Sequence, residues 1–184
     1  AWTSTQASRK AERIRLLLTG PSPVRTQIRG IDDAIRETIE SADRLLLLVT
    51  YASYPPDHLV AQLSAAQARG VLIELVLETQ EDSGGKLKTR GVSKLQKVAR
   101  GGRLYHWPRS KRPENEGTPG ALHAKCMLAD EDHLVVSSAN LTEHALSLNL
   151  ELGVEFVGGA RPIEVRRYFD ELIRTGELVE LPTP

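Results

Sequence analysis

Two predominantly aliphatic runs, Leu45 to Thr50 and Val71 to Leu77, constrain this chain more than any other feature. Each has the length of one strand. Between them a helical stretch from Asp57 to Arg69 is closed by Gly70, a residue type that ends helices because it adopts the left-handed conformation without strain. Strand, helix, strand in that order predicts parallel pairing, since a parallel neighbour needs a crossover long enough to hold a helix. Continuous rather than alternating apolarity predicts a sheet covered on both faces. The expected fold class is therefore α/β: a mixed, largely parallel sheet flanked by helices on both faces.

The remaining punctuation extends this plan. Ile14 to Thr19 reads as a first strand that stops at Gly20-Pro21-Ser22-Pro23. Ser22 is the expected cap of a helix with Pro23 at its first position, and Val24, Ile28, Ile31, Ile35 and Ile39 recur at helical spacing as far as Ser41. Val92, Leu95, Val98 and Ala99 predict a short helix, and Arg103 to Trp107 a strand. Pro108 to Gly120 reads as an exposed loop, made basic by Arg109, Lys111 and Arg112. Strands follow at Ala124 to Ala129, Leu134 to Ser138 and Glu151 to Val157, then a closing helix through Ile163, Tyr168, Phe169, Leu172 and Ile173. This divides the chain into an N-terminal segment, 1–20, carrying the first strand, and a single domain, 21–184. No segment repeats, so each motif occurs once.

Aromatic residues make up 4% of the chain, so the core must be aliphatic. Lys plus Arg and Asp plus Glu both number 24, so any surface that attracts a polyanion must be local. The one cysteine, Cys126, can form neither an internal disulfide nor a structural zinc site, which fits a reducing compartment such as the cytoplasm. No apolar run approaches the ~20 residues needed to cross a bilayer, and no membrane partner is expected. The start lacks the pattern of a secretory signal, and the missing initiating Met points to removed N-terminal residues.

The chemistry concentrates after the basic loop. His123 and Lys125 lie two apart on a predicted strand, so both side chains leave one face. Asp130 ends that strand, Ser138 and Asn140 follow the next, and Glu151 begins a third. A phosphodiester centre needs a nucleophile, donors for oxygens that carry charge in the transition state, and a carboxylate that orients the nucleophile. This set supplies all three without a metal or cofactor. His58, His106, His133 and His144 have no such company and read as surface or packing residues. Tyr51, Ser53 and Tyr54, at the carboxyl end of a strand, carry only a weak functional signal.

The pattern His123-x-Lys125-x4-Asp130, with Ser138-x-Asn140 and then Glu151, resembles the HKD signature of the phospholipase D superfamily. The resemblance implies a phosphohistidine intermediate on His123, phosphate oxygens bound by Lys125 and Asn140, and His123 oriented by Glu151. Asp130 belongs to the motif but is expected to support local structure more than to touch substrate. Ser137 stands where the family often has Gly. Members of the superfamily use two such motifs, so a chain with one is expected to form a two-fold homodimer, inactive as a monomer.

A second resemblance, through Leu18-Thr19-Gly20-Pro21, Glu81 to Leu87, Trp107-Pro108-Arg109 and Leu122 to Asn140, is to the phospholipase D-like component of the bacterial DISARM anti-phage system. It implies single- or double-stranded DNA as substrate and other defence proteins as partners. Ser138, Arg109, Lys111, Arg112 and Lys86 are the expected substrate contacts. The rival readings are a phospholipid hydrolase and a dimeric nucleic-acid-binding or assembly module without turnover.

Overall fold

The two aliphatic runs form neighbouring strands. The computed structural model describes residues 11–21, 28–51, 53–87, 95 and 101–182. In chain order the strands are β1 (Arg13–Thr19), β2 (Arg29–Gly30), β3 (Leu45–Thr50), β4 (Ser53–Tyr54), β5 (Leu72–Leu77), β6 (Arg103–His106), β7 (Glu114–Asn115), β8 (Thr118–Pro119), β9 (Cys126–Ala129), β10 (His133–Ser137), β11 (Leu141–Thr142), β12 (Glu151–Val157) and β13 (Val179–Glu180). The helices are α1 (Ile31–Ser41), α2 (Asp57–Ala68), α3 (Glu143–Ser147) and α4 (Arg161–Arg174). Nine strands build the main sheet in the order β13-β6-β5-β3-β9-β10-β12-β1-β2.

The fold is α/β, as the runs and spacings predict, and β3 and β5 pair in parallel with α2 as their crossover. The share of parallel pairing is smaller than expected. Among the described strands, three neighbouring pairs of the main sheet are parallel and five are antiparallel. Continuous apolarity reports burial on both faces, which β9 and its neighbours share, and says nothing of strand direction. The β9–β10 turn, Asp130 to Asp132, is too short for anything but an antiparallel return.

Alternate residues of β3 feed two cores. Leu46 and Leu48, with Leu17, Ile73 and Leu75, pack under α1 and α2 through Ile31, Ile35, Leu59 and Leu63. Leu47 and Val49, with Val76 and Leu128, pack under Phe169 of α4. Fully burying one such side chain contributes about 1.5–3 kcal/mol, so the two-sided cover is the main support of the sheet. Gly70 has φ +91° and terminates α2, a conformation that would strain any residue with a Cβ.

Several boundaries differ from the sequence expectation. The helix expected from Pro23 begins at Ile31, because Arg29 and Gly30 are extended and pair with Leu17 and Leu18 of β1. Residues 22–27 lie outside the described residues, as does all of the short helix expected around Val92 except Leu95, which is helical and buried. The loop from Pro108 to Gly120 holds a 3-10 turn, Arg109–Lys111, and the β7–β8 hairpin. The first strand pairs along its whole length with β12. No helix among the described residues is long and apolar enough to cross a membrane.

Candidate active site

Antiparallel pairing brings distant residues to one end of the sheet. β9 runs opposite to both β3 and β10, so Lys125, just before β9, falls beside the carboxyl ends of both: Val49 pairs with Cys126, and Ser137 N–H donates to the Lys125 carbonyl at 3.2 Å. β12 starts at the same end, where Gly153 faces Ser137 and Glu151 faces Thr19 of β1. The start of β9, the end of β10 and the start of β12 therefore lie at one end of the sheet.

His123 and Lys125 were expected on a strand, but the ladder begins only at Cys126 and both residues precede it. They meet nonetheless. The Lys125 ammonium is buried, donates to the His123 carbonyl at 2.7 Å and lies 3.1 Å from His123 Nδ1, while His123 itself is exposed. Burial pushes the pKa of Lys125 below the usual lysine range, against the opposing pull of Glu151. The Tyr51 ring packs on His123 with centroids 5.2 Å apart and planes at 52°. The signal for Tyr51 was its place at the end of a strand, which by itself does not separate a site residue from a turn residue.

Glu151 holds its neighbours rather than the imidazole. Its two oxygens accept from the Ser138 hydroxyl and from Asn149 Nδ2, the latter at 2.9 Å. Ser138, expected at the substrate, thus spends its hydroxyl on Glu151 and also accepts from Leu152 N–H at 3.1 Å. His123 faces Lys125 and Tyr51 instead, so the expected Glu151–His123 contact is not made. Asn140 is partly exposed two residues beyond Ser138, and its carbonyl accepts from Thr142 N–H at 2.8 Å.

Asp130 is not part of this group. It sits at the far end of β9, about 17 Å from Lys125 at ~3.4 Å per residue. Its carboxylate accepts from three successive backbone N–H groups, Asp43 at 2.6 Å, Arg44 at 2.9 Å and Leu45 at 2.7 Å. With φ +54° it also turns the chain between β9 and β10, a conformation Asp tolerates better than most residues. Asp130 thus anchors the entry to β3, in keeping with the structural role expected of it and away from the catalytic set in which the motif also places it.

The basic loop divides. Arg112, expected at the substrate, is buried and bonded on both prongs to Glu78, which in turn accepts from Leu122 N–H at 3.0 Å. Its Nε also donates to the Trp107 carbonyl at 2.9 Å, and its guanidinium lies 5.3 Å from the Trp107 ring centre. A motif of charges in a loop cannot reveal that one of them is spent inside. Arg109 and Lys86 are exposed and share a groove of about 340 Å³ with Tyr51, Gly84 and Thr118. Asp82 fastens its wall, accepting from Arg109 N–H at 2.9 Å and lying 2.6 Å from both Thr79 Oγ1 and His106 Nδ1. Burial alone pushes the Asp82 carboxyl up, but bonds from Thr79, His106 and Arg109 hold it below the usual range. Lys111 lies apart, with its ammonium toward the Gly176 turn.

Among the described residues no group of three or more His, Cys, Asp or Glu is arranged to hold a metal ion. His133 is buried between Glu155 at 2.9 Å and the hydroxyls of Thr38 and Ser41, each at 3.2 Å, in agreement with a packing role.

Among curated proteins the chain is 27% identical over 165 residues to the DISARM protein DrmC of Bacillus paralicheniformis, a match covering 88% of this chain and 63% of DrmC. It is also 27% identical over 116 residues to cardiolipin synthase A of Pseudomonas putida, covering 63% of this chain and 22% of the synthase. The chain therefore spans less than two thirds of the length of these relatives. Among solved structures it superposes on Nuc of Salmonella typhimurium, a phospholipase D family member, with TM-score 0.65 at 18% identity, covering 93% of this chain and 99% of Nuc. NucT of Helicobacter pylori gives TM-score 0.71 at 12% identity, covering 93% and 100% of the two chains. The family model described as "Cardiolipin synthase, PLD-like domain" matches residues 35–173, and the chain belongs to this phospholipase D-like family.

Proposed function

We propose that the chain is a metal-independent phosphodiesterase that cuts DNA through a phosphohistidine intermediate, as a homodimer in anti-phage defence. The observation that carries this reading is the exposed His123 imidazole held against the buried Lys125 ammonium at the open end of the sheet, with the Glu151 carboxylate acting on that ammonium. Lys125 and Asn140 bind the non-bridging oxygens. A phosphate that takes over the Lys125 ammonium releases His123 Nδ1, and Glu151 then accepts from it, leaving Nε2 free to attack. Contacts of this kind commonly tighten only when substrate is bound.

Two protons and two histidines balance the reaction. His123 of one subunit forms the N–P bond as the P–O bond to the leaving group breaks, and the protonated His123 of the second subunit gives its proton to that oxygen. Water then attacks phosphorus, returns a proton to the second imidazole and breaks the N–P bond. An apolar stripe supports the pairing of subunits. Leu16, Leu152 and Val136 share the sheet face opposite Leu17, with Leu16 and Leu152 59% and 57% exposed, and Val136 borders the cleft that holds His123. The likeness to DrmC supports the defence setting and other defence proteins as partners.

The deciding experiment is cleavage of end-labelled single- and double-stranded DNA in excess EDTA, comparing the chain with His123→Ala. Cleavage that survives EDTA and vanishes in the variant is expected. Absence of cleavage by a confirmed dimer overturns the reading.

A further inference from the structure

Beyond His123, on the side away from the apolar stripe, lies a cavity of about 210 Å³ that the proposed chemistry does not use. His123 and Ala124 form one wall; Trp107, Tyr168 and Leu178 form others, and Glu177 supplies a carboxylate. Among the described residues no lysine or arginine lines it. The groove with Lys86, Arg109 and Tyr51 also ends near His123, since Tyr51 packs on that imidazole. One nucleophile thus stands between a cationic groove and an aromatic cavity.

We propose that this cavity is the subsite for one unstacked base of a single-stranded nucleic acid, the base adjoining the phosphate at His123, while the groove carries the neighbouring backbone. The inference rests on the nucleic-acid reading above and adds the form of the substrate. Cationic grooves interleaved with aromatic side chains are how proteins hold single strands, because every base has a π-face to stack. Trp107 is braced for this by the guanidinium of Arg112, and Tyr168 by an edge contact to Phe169 at 5.6 Å and 80°. In a duplex the base is paired and stacked, and it reaches such a cavity only after extrusion. A lipid acyl chain would match the apolar walls but has no group for Glu177, which also lines the cavity, whereas the exocyclic amine of a base can donate to a carboxylate.

The test uses Trp107 as its own probe. In a Trp2→Phe, His123→Ala chain, Trp107 is the sole tryptophan and turnover is blocked. Its fluorescence is titrated with a mixed-sequence single-stranded oligonucleotide, with the matching duplex, and with phosphatidylglycerol vesicles. Saturable quenching by the single strand, at lower concentration than by the duplex, is expected. Tyr168→Ala should weaken the single strand roughly tenfold and the duplex little, with Tyr168→Phe restoring it. Tyr168 is 61% exposed, so its truncation leaves the core intact. Equal affinity for both forms, a silent Tyr168→Ala, or quenching by vesicles alone overturns the inference. Single-strand binding of this kind by a chain that cuts nothing in EDTA leaves the inference standing and removes the nuclease reading; cleavage with a silent Tyr168→Ala does the reverse.

Discussion

Arg112 and Glu78 meet in a two-pronged ion pair, Nη2 to Oε1 at 2.8 Å and Nη1 to Oε2 at 3.0 Å, with the two side chains 1% and 0% exposed. The pair joins the end of β5 to the basic loop and, through Leu122 N–H, to the segment that presents His123. Removing one partner strands a buried charge, so Arg112→Ala should lower unfolding stability by about 3–5 kcal/mol in urea titration. Arg109→Ala, on an exposed side chain, should leave stability within ~0.5 kcal/mol. It should instead weaken DNA binding and reduce the slope of log affinity against log salt by about 1. The opposite assignment of effects would show that the structure has sorted these two arginines wrongly.

Asp130 supports three backbone N–H groups far from the imidazole. Asp130→Ala should therefore destabilise the fold by about 2–4 kcal/mol, while each molecule that remains folded keeps its activity. Thermal unfolding and rate per folded molecule, measured on the same preparation, check this. A stable but inactive variant would return Asp130 to the chemistry.

Lys125 acts as a cation only below its pKa, which burial depresses. Activity that needs the ammonium is present below that pKa and is lost as pH rises through it. The alkaline limb of kcat/KM should thus arrive before the usual lysine range. Lys125→Arg keeps its charge at any accessible pH and should carry that limb to higher pH, even where its absolute rate is lower. An unmoved limb would assign it to another group.

If two imidazoles share one reaction, a dimer with one is defective. Equimolar mixing of the chain with His123→Ala should leave about a quarter of the activity of the unmixed dimer, not half, once subunits exchange. Leu16→Lys with Leu152→Lys should yield monomer by sedimentation and remove cleavage. Half activity on mixing would mean that each subunit works alone.

Much of this arrangement was legible in residue order. The runs of β3 and β5, the length of β12 and the helical spacing of Ile31, Ile35 and Ile39 follow from apolar periodicity, which burial imposes directly. The nearness of His123 to Lys125 was legible from their spacing of two residues. The burial of Arg112 and the partners of Asp130 were not. Their side chains are spent on partners 34 and at least 85 residues away, Glu78 and the 43–45 backbone, and local patterns hold no record of such bonds. The cavity walled by Trp107 and Tyr168 escaped for the same reason, since two aromatic residues far apart in sequence reveal nothing of a shared void.

β12 lies between β10 and β1 and pairs with both, so Thr19 and Glu151 become neighbours only when most of the chain is present. Chains are made from the N-terminus at a pace that lets early segments wait unpaired for later ones. A growing chain whose β12 has not yet emerged has His123 and Lys125 but no Glu151 near them, and one edge of β1 stays unpaired. If the chain severs nucleic acid as proposed, this order of assembly is a safeguard, because the proposed site is complete only once β12 has joined β10 and β1.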